Sequence, residues 1–204
     1  AGFDKNAECI DALADLSFSA IEVGTVTPIG QPGQKKPRIF RLPSQRALIN
    51  RLGFNNLGAQ TIARNLQMRP PQTKIPIGIN VGKNKVTSNT AAVEDYTSAM
   101  ETLADYGQYF VINISSPNTP QLRELAEPAF IKSLSHSIGP TKVENVWLKL
   151  SPDMSKQQLQ ELTSTAGECG FAGLILANSH AVTWPETGGF SGAPIATKAS
   201  QLLE

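Results

Sequence analysis

The sequence predicts an α/β protein, a (β/α)8 TIM barrel that is incomplete in this chain, with about strands 1 to 6 present. Three observations lead there. Short runs rich in Ile, Val, Leu and aromatics alternate with stretches of helical periodicity. These runs are near-continuously apolar, as strands covered on both faces are. Each closes on a polar residue that an ordinary strand end would not require: Lys5, Thr25, Asn80, Asn113, Lys149 and Asn178. In a barrel the carboxyl ends of the strands converge on one mouth, where six such side chains can meet; an open sheet would string them along an edge.

The elements follow in order. Lys5 marks the tail of a first strand, and Ile10, Leu13 and Leu16 a helix after the opening loop. Residues 20–26 form the first full strand. From Thr25 to Asn80, Pro28, Pro32, Pro37 and Pro43 with Gly30 and Gly33 break any helix, so an excursion (a loop or short hairpin) lies beside the mouth. Within it, residues 49–58 read as turn chemistry with a helix start. Strands follow at 75–81, 109–114, 145–150 and 173–178. Val93, Tyr96, Met100 and Leu103 share a helix face, with Gly107 as the stop. Ser155 and Gln158 form a capping box ahead of Leu159, Leu162 and Ala166. No linker or change of composition interrupts residues 1–204, which read as one domain.

Composition narrows the function. Apolar residues make up 40% of the 204 and charged residues 17%, a folded globular profile. A net charge of +1 supplies no field for a polyanion, so no nucleic-acid partner is expected. Apolar runs fall far short of the ~18 residues of a membrane span. Cys9 and Cys169 cannot make a disulfide framework and read as small buried hydrophobes in a reducing compartment. His136 and His180 stand too far apart for a metal site, and no metal is expected. The stretch 78–85 resembles a phosphate loop only loosely, because Asn84 replaces the hydroxyl that a Walker loop needs. The opening at Ala1 without Met or signal peptide, and the close inside a helix, read as cut ends.

The strongest local signal is 111–120, where a strand runs into Ser115 and Ser116 and prolines stiffen a loop bracketed by Asn113 and Asn118. Amides present paired donors and acceptors, which suits a planar ligand with imide or amide edges; a polar βα turn with Asx and Ser capping is the plain alternative.

Seven motifs in register, at 1–5, 23–28, 49–56, 78–85, 113–120, 148–149 and 188–192, closely resemble the dihydroorotate dehydrogenase family, across essentially the whole chain. Ser116, within Ser-Ser-Pro-Asn-Thr, resembles the membrane-associated quinone-linked branch (class 2), where the soluble class 1 branch carries Cys. The resemblance implies an FMN enzyme of pyrimidine biosynthesis that oxidises dihydroorotate to orotate and passes electrons to a quinone. It implies peripheral association with the bacterial cytoplasmic or mitochondrial inner membrane through an N-terminal extension absent here.

Residue by residue, the resemblance implies that Ala1, Gly2, Lys5, Thr25, Asn80, Asn113, Lys149, Ala177 and Gly192 hold the flavin. Lys5, Asn50, Arg51, Leu52, Gly53, Phe54, Asn113, Asn118, Asn178 and Ser179 would bind substrate, and Ser116 would be the catalytic base. The chemistry agrees, since a cation such as Lys149 stabilises charge on a reduced flavin ring and asparagine amides match a urea-like edge. Three stretches depart from the family. Ala177-Asn178-Ser179-His180 replaces Thr-Asn-Thr-Thr, Gln121 replaces Gly, and Gln34-Lys35-Lys36 replaces Gly-Asn-Pro. The alternatives are a soluble fumarate- or NAD-linked enzyme, which Ser116 disfavours, and a non-catalytic flavin-binding barrel remnant.

Overall fold

The computed structural model describes residues 2–69, 75–119 and 121–203. The chain runs α1 (Ile10–Ala14), β1 (Ile21–Val26), β2 (Ile29–Gln31), β3 (Ile39–Leu42), β4 (Ala47–Asn50), β5 (Asn56–Gly58) and α2 (Ala59–Gln67). It continues β6 (Ile77–Val81), α3 (Ala92–Leu103), β7 (Tyr109–Asn113), α4 (Pro128–Ile138), α5 (Pro140–Val143), β8 (Val146–Lys149) and α6 (Lys156–Glu168). It closes with β9 (Gly173–Ile175), β10 (His180–Val182), β11 (Gly188–Gly192) and α7 (Ala196–Gln201).

Strands β1, β6, β7, β8 and β9 pair in that order, all parallel, as consecutive staves of a partial barrel wall. Val23, Ile79, Val111, Ile112 and Leu148 are fully buried on these strands, as the apolar runs require. Helices α2, α3, α4 and α6 line up along the wall, each against the next. Their apolar stripes (Ile62 and Leu66, Tyr96 and Leu103, Ile131 and Leu134, Leu162 and Ala166) face inward. Tyr96 meets Phe130 edge-on with centroids 5.8 Å apart, and its hydroxyl donates to the Asn113 carbonyl at 2.9 Å. That buried bond ties the outer helix to the end of β7.

The capping box is present: Gln158 N–H donates to Ser155 Oγ at 3.2 Å, and Ser155 N–H to Gln158 Oε1 at 3.0 Å. Register places Gly24 beside Asn80 and Asn113 beside Lys149, so the polar strand ends share one rim.

Several elements differ from the sequence reading. Lys5 lies in a loop rather than a strand; Gly2 N–H donates to Gly24 O at 2.9 Å and Gly24 N–H to Asp4 O at 3.0 Å, so the loop runs along the end of β1. Leu16 falls outside α1 and is exposed, because the chain turns at Ser17, whose φ is 61°. Helix α3 ends at Leu103, before Gly107, whose small size serves packing: a Cβ there would come within 2.8 Å of Ile79 Cδ1. Strand β9 stops at Ile175, although Asn178 N–H still reaches Leu150 O at 2.9 Å. Cys9 is exposed rather than buried. The excursion is larger than a hairpin, since β3 and β4 join β10 and β11 in a four-stranded antiparallel sheet, and β2 pairs with β5.

Candidate active site

One cavity at the rim gathers residues from the carboxyl ends of the parallel strands β1, β7 and β8 and from just beyond β9, but none from β6. Loop residues Gly2 and Lys5 line it with Thr25 of β1. Asn50 at the end of β4 and the Leu52–Gly53–Phe54 turn close one side. Asn113, Ser116, Pro117 and Asn118 come from β7 and its loop, Lys149 from β8, and Asn178 and Ser179 from beyond β9. The antiparallel sheet forms the outer wall. Its glycines are needed there, because a Cβ on Gly188 would strike Asn50 O and one on Gly189 would strike Ser179 Oγ.

Beneath the cavity lies a buried amide network. Asn113 Nδ2 donates to Thr25 Oγ1 at 3.1 Å and Asn80 Oδ1 at 3.2 Å, while Thr25 Oγ1 also donates to Asn80 Oδ1. Asn113 Oδ1 accepts from Ser115 Oγ at 3.2 Å and Asn178 Nδ2 at 3.4 Å. Asn80 Nδ2 donates to Glu22 Oε1 at 3.0 Å, and Lys149 Nζ lies 3.5 Å from the same oxygen. The network fixes which way each amide points, so the rim presents a preset pattern of donors and acceptors.

Ser116 and Ser115 part company. Ser116 faces the cavity, and its Oγ accepts the Asn118 N–H at 3.2 Å. Ser115 is fully buried; its hydroxyl donates to Asn113 Oδ1 and accepts from Asn178 Nδ2 at 3.0 Å. Asn118 is anchored by Asn50, whose backbone carbonyl accepts from Asn118 Nδ2 at 3.0 Å, and by Gln34 Nε2, which donates to Asn118 O at 3.1 Å. Phe54 sits at φ 53°, unusual for an aromatic residue, held by Asn56 Nδ2 and Gln31 Nε2 on its carbonyl at 2.9 and 3.2 Å.

The electrostatics favour an anion. Burial, with the Arg38 and Lys149 cations, pushes the Lys5 ammonium down to about 8. Burial raises the Glu22 carboxyl, but Lys149 and the Asn80 amide hold it below its ordinary value, so it stays ionised. The donor set fits a flat, hydrogen-bonding cofactor with an electron-rich edge: Lys149 brings an ammonium, the Thr25 hydroxyl and the Asn80 and Asn113 amides are bonded together at the base, and Gly2 leaves the approach open, with only Lys5 Nζ at 3.9 Å from a Cβ built there.

Other expected residues sit elsewhere. Asn80 forms part of the floor rather than the lining. Arg51 turns away, pairing with Glu186 at 2.8 Å and stacking its guanidinium 4.6 Å over the Phe40 ring. Ala177 and Gly192 do not line the cavity, and Gly192 is exposed at the end of β11. Ala1 lies outside the described residues. In the 78–85 stretch, Lys83 Nζ bonds Thr87 O at 2.7 Å and does not face a phosphate cradle. The sequence reading missed Glu22, Gln34, Arg123 and Asp153; only Glu22, a lone carboxylate in an apolar strand, carried a local signal.

Fold and site together define a parallel α/β barrel wall with a cation- and amide-lined mouth. The chain belongs to the dihydroorotate dehydrogenase family, whose model matches residues 1–204. Proteins named dihydroorotate dehydrogenase (quinone) are 42% identical over 217 residues in Anaeromyxobacter sp. (strain K) and 43% identical over 211 in Thermus thermophilus, each across 100% of this chain. They are covered to 60% and 61% of their own lengths, so the chain spans about three fifths of these relatives. A crystal structure of DHODH from Eimeria tenella in complex with ferulenol superposes with a TM-score of 0.90 at 30% identity, covering 100% of this chain and 64% of that one.

Proposed function

We propose that the protein to which this chain belongs oxidises dihydroorotate to orotate with FMN and passes the electrons to a quinone. The observation that carries the reading is the convergence of Ser116, Lys5 and the amides of Asn50, Asn113, Asn118 and Asn178 on one cavity whose floor includes Lys149. Dihydroorotate loses a proton from C5 and a hydride from C6 as the C5=C6 bond forms. Bound FMN supplies the hydride acceptor and the route for two electrons to the quinone.

The residues do the rest. Lys5 offsets the substrate carboxylate, and the asparagines hold the urea-like edge. Ser116 Oγ takes the C5 proton in a site shielded from bulk water and passes it outward, with the buried Thr119 in the same loop as the candidate relay. In this reading Lys149, which lines the cavity, offsets negative charge on the reduced flavin. The quinone as oxidant rests on Ser116 and on the names of the relatives. Association with the membrane surface belongs to this reading as well; among the described residues no helix is long and apolar enough to cross a membrane.

The full-length protein, assayed with dihydroorotate and offered quinone or fumarate in turn, tests the reading. Orotate formation with quinone alone supports it. Turnover with fumarate would assign the soluble type, and no flavin reduction by dihydroorotate would remove the activity.

A further inference from the structure

Outside the lining of the cavity, Arg123, Asp153, His180 and Lys198 form a cluster. Arg123, eight residues beyond Ser115, directs its guanidinium to three places. Its Nε donates to Ser115 O at 3.1 Å, its Nη2 to Ser179 O at 3.1 Å, and its Nη1 pairs with Asp153 Oδ2 at 2.8 Å. The planar fork allows all three at once, which a lysine could not do. Asp153, in the loop after β8, also accepts from Ala181 N–H at 2.9 Å and Lys198 Nζ at 2.7 Å, and it contacts His180 Nδ1. Its carboxyl therefore stays ionised: burial alone would raise it, but these donors hold it well below the usual carboxylate range.

The bonds fall at telling places. Ser115 O belongs to the peptide that leads into Ser116, and Ser179 O follows the Asn178 and Ser179 side chains that line the cavity. Loops from three successive strands, β7, β8 and β9, are thus joined through one guanidinium and one carboxylate. Lys198 of α7 and His180, which stands where the family usually has Thr, add two further ties. None of the four side chains lines the cavity.

We propose that Arg123 and Asp153 are positioning residues that set the loop of Ser116 against the loop of Asn178 and Ser179, so that base and substrate cage keep register. The inference rests on the function proposed above. A misplacement of about 1 Å can cost about 10²-fold in rate, and a clamp that orders two loops is a means of avoiding it.

The test uses the full-length, FMN-loaded protein with Arg123→Ala, Arg123→Lys and Asp153→Asn. In single-turnover reduction by dihydroorotate, Arg123→Ala should be roughly 10–100-fold slower, with Arg123→Lys recovering only part of the loss. Reoxidation of the reduced flavin by quinone and flavin content should match wild type. Independently of turnover, amide hydrogen exchange should rise together in 115–119 and 178–181 in Arg123→Ala and Asp153→Asn, while the parallel strands keep their protection. Unchanged exchange in both segments, or unchanged reduction rates, would overturn the clamp. So would equal deprotection everywhere with loss of flavin, which marks a role in general stability only. Failure of the wild type itself to accept electrons from dihydroorotate would remove the functional reading, and the exchange experiment would still decide whether Arg123 couples the two loops.

Discussion

Lys149 and Glu22 meet across the inside of the barrel wall, Nζ to Oε1 at 3.5 Å, although β6 and β7 separate their strands. Both side chains are mostly buried, at 17% and 16% exposure, so the pair is screened less than a surface ion pair. The cation proposed to serve the flavin is thus shared with a resident carboxylate. Removing either partner should act on the flavin with opposite sign. Lys149→Ala should lower the flavin reduction potential and weaken FMN retention about 10–100-fold, the scale of a lost charge-assisted contact. Glu22→Gln should raise the potential, because Lys149 is then free to face the ring. Potentiometric titration and flavin content of the full-length variants check both; equal potentials in all three proteins would place Lys149 outside the flavin's influence.

Lys5 should confer a pH dependence on anion binding. With its ammonium at about 8, the charged form dominates below that pH and declines above it. A carboxylate ligand favours the charged form, so orotate affinity should fall as pH rises through about 8, and Lys5→Met should bind weakly with no such fall. The linkage to stability has the opposite sense. A lysine held below its unfolded value of 10.5 opposes folding in full below about 8, and the penalty disappears as pH rises from there through 10.5. Orotate titrations followed by flavin absorbance, with chemical denaturation at the same pH values, measure both.

The Tyr96 hydroxyl is fully buried and bonded to the Asn113 carbonyl. Tyr96→Phe leaves that carbonyl without its partner and should cost about 1–3 kcal/mol by denaturant unfolding. Because Asn113 carries the floor amide, the rate of flavin reduction should fall as well, though by far less than for Ser116. An unchanged midpoint would show that the bond contributes nothing net.

The barrel wall was legible because fully covered parallel strands are continuous apolar runs, and the polar residues near the ends of those runs pointed to a site at one rim. The rim residues Thr25, Asn113, Lys149 and Asn178 followed from that pattern. The outer antiparallel sheet was not legible. Its strands are three to five residues long, with half-exposed faces, and Asn50 bonds to Gly189 across 139 positions of sequence. Arg51 entered the cage through the resemblance, but it lies just past the end of β4, where its guanidinium pairs with Glu186 and stacks over Phe40. Arg123 and Asp153 had no local signature, since what defines them is the meeting of three loops.

Ser116 bears most directly on the central claim. Its neighbour Ser115 is a control of a particular kind: its hydroxyl holds Asn113 and Asn178, so Ser115→Ala should loosen the cage and lower stability without removing a proton acceptor. The decisive measurement is stopped-flow, single-turnover reduction of bound FMN by dihydroorotate in the full-length protein. Ser116→Ala should slow it roughly 10²–10⁴-fold with orotate affinity little changed, and Ser116→Cys should retain more rate and shift its pH dependence downward, because a thiol ionises more readily. Normal flavin reduction in Ser116→Ala, with Ser115→Ala the slow variant, would contradict the account.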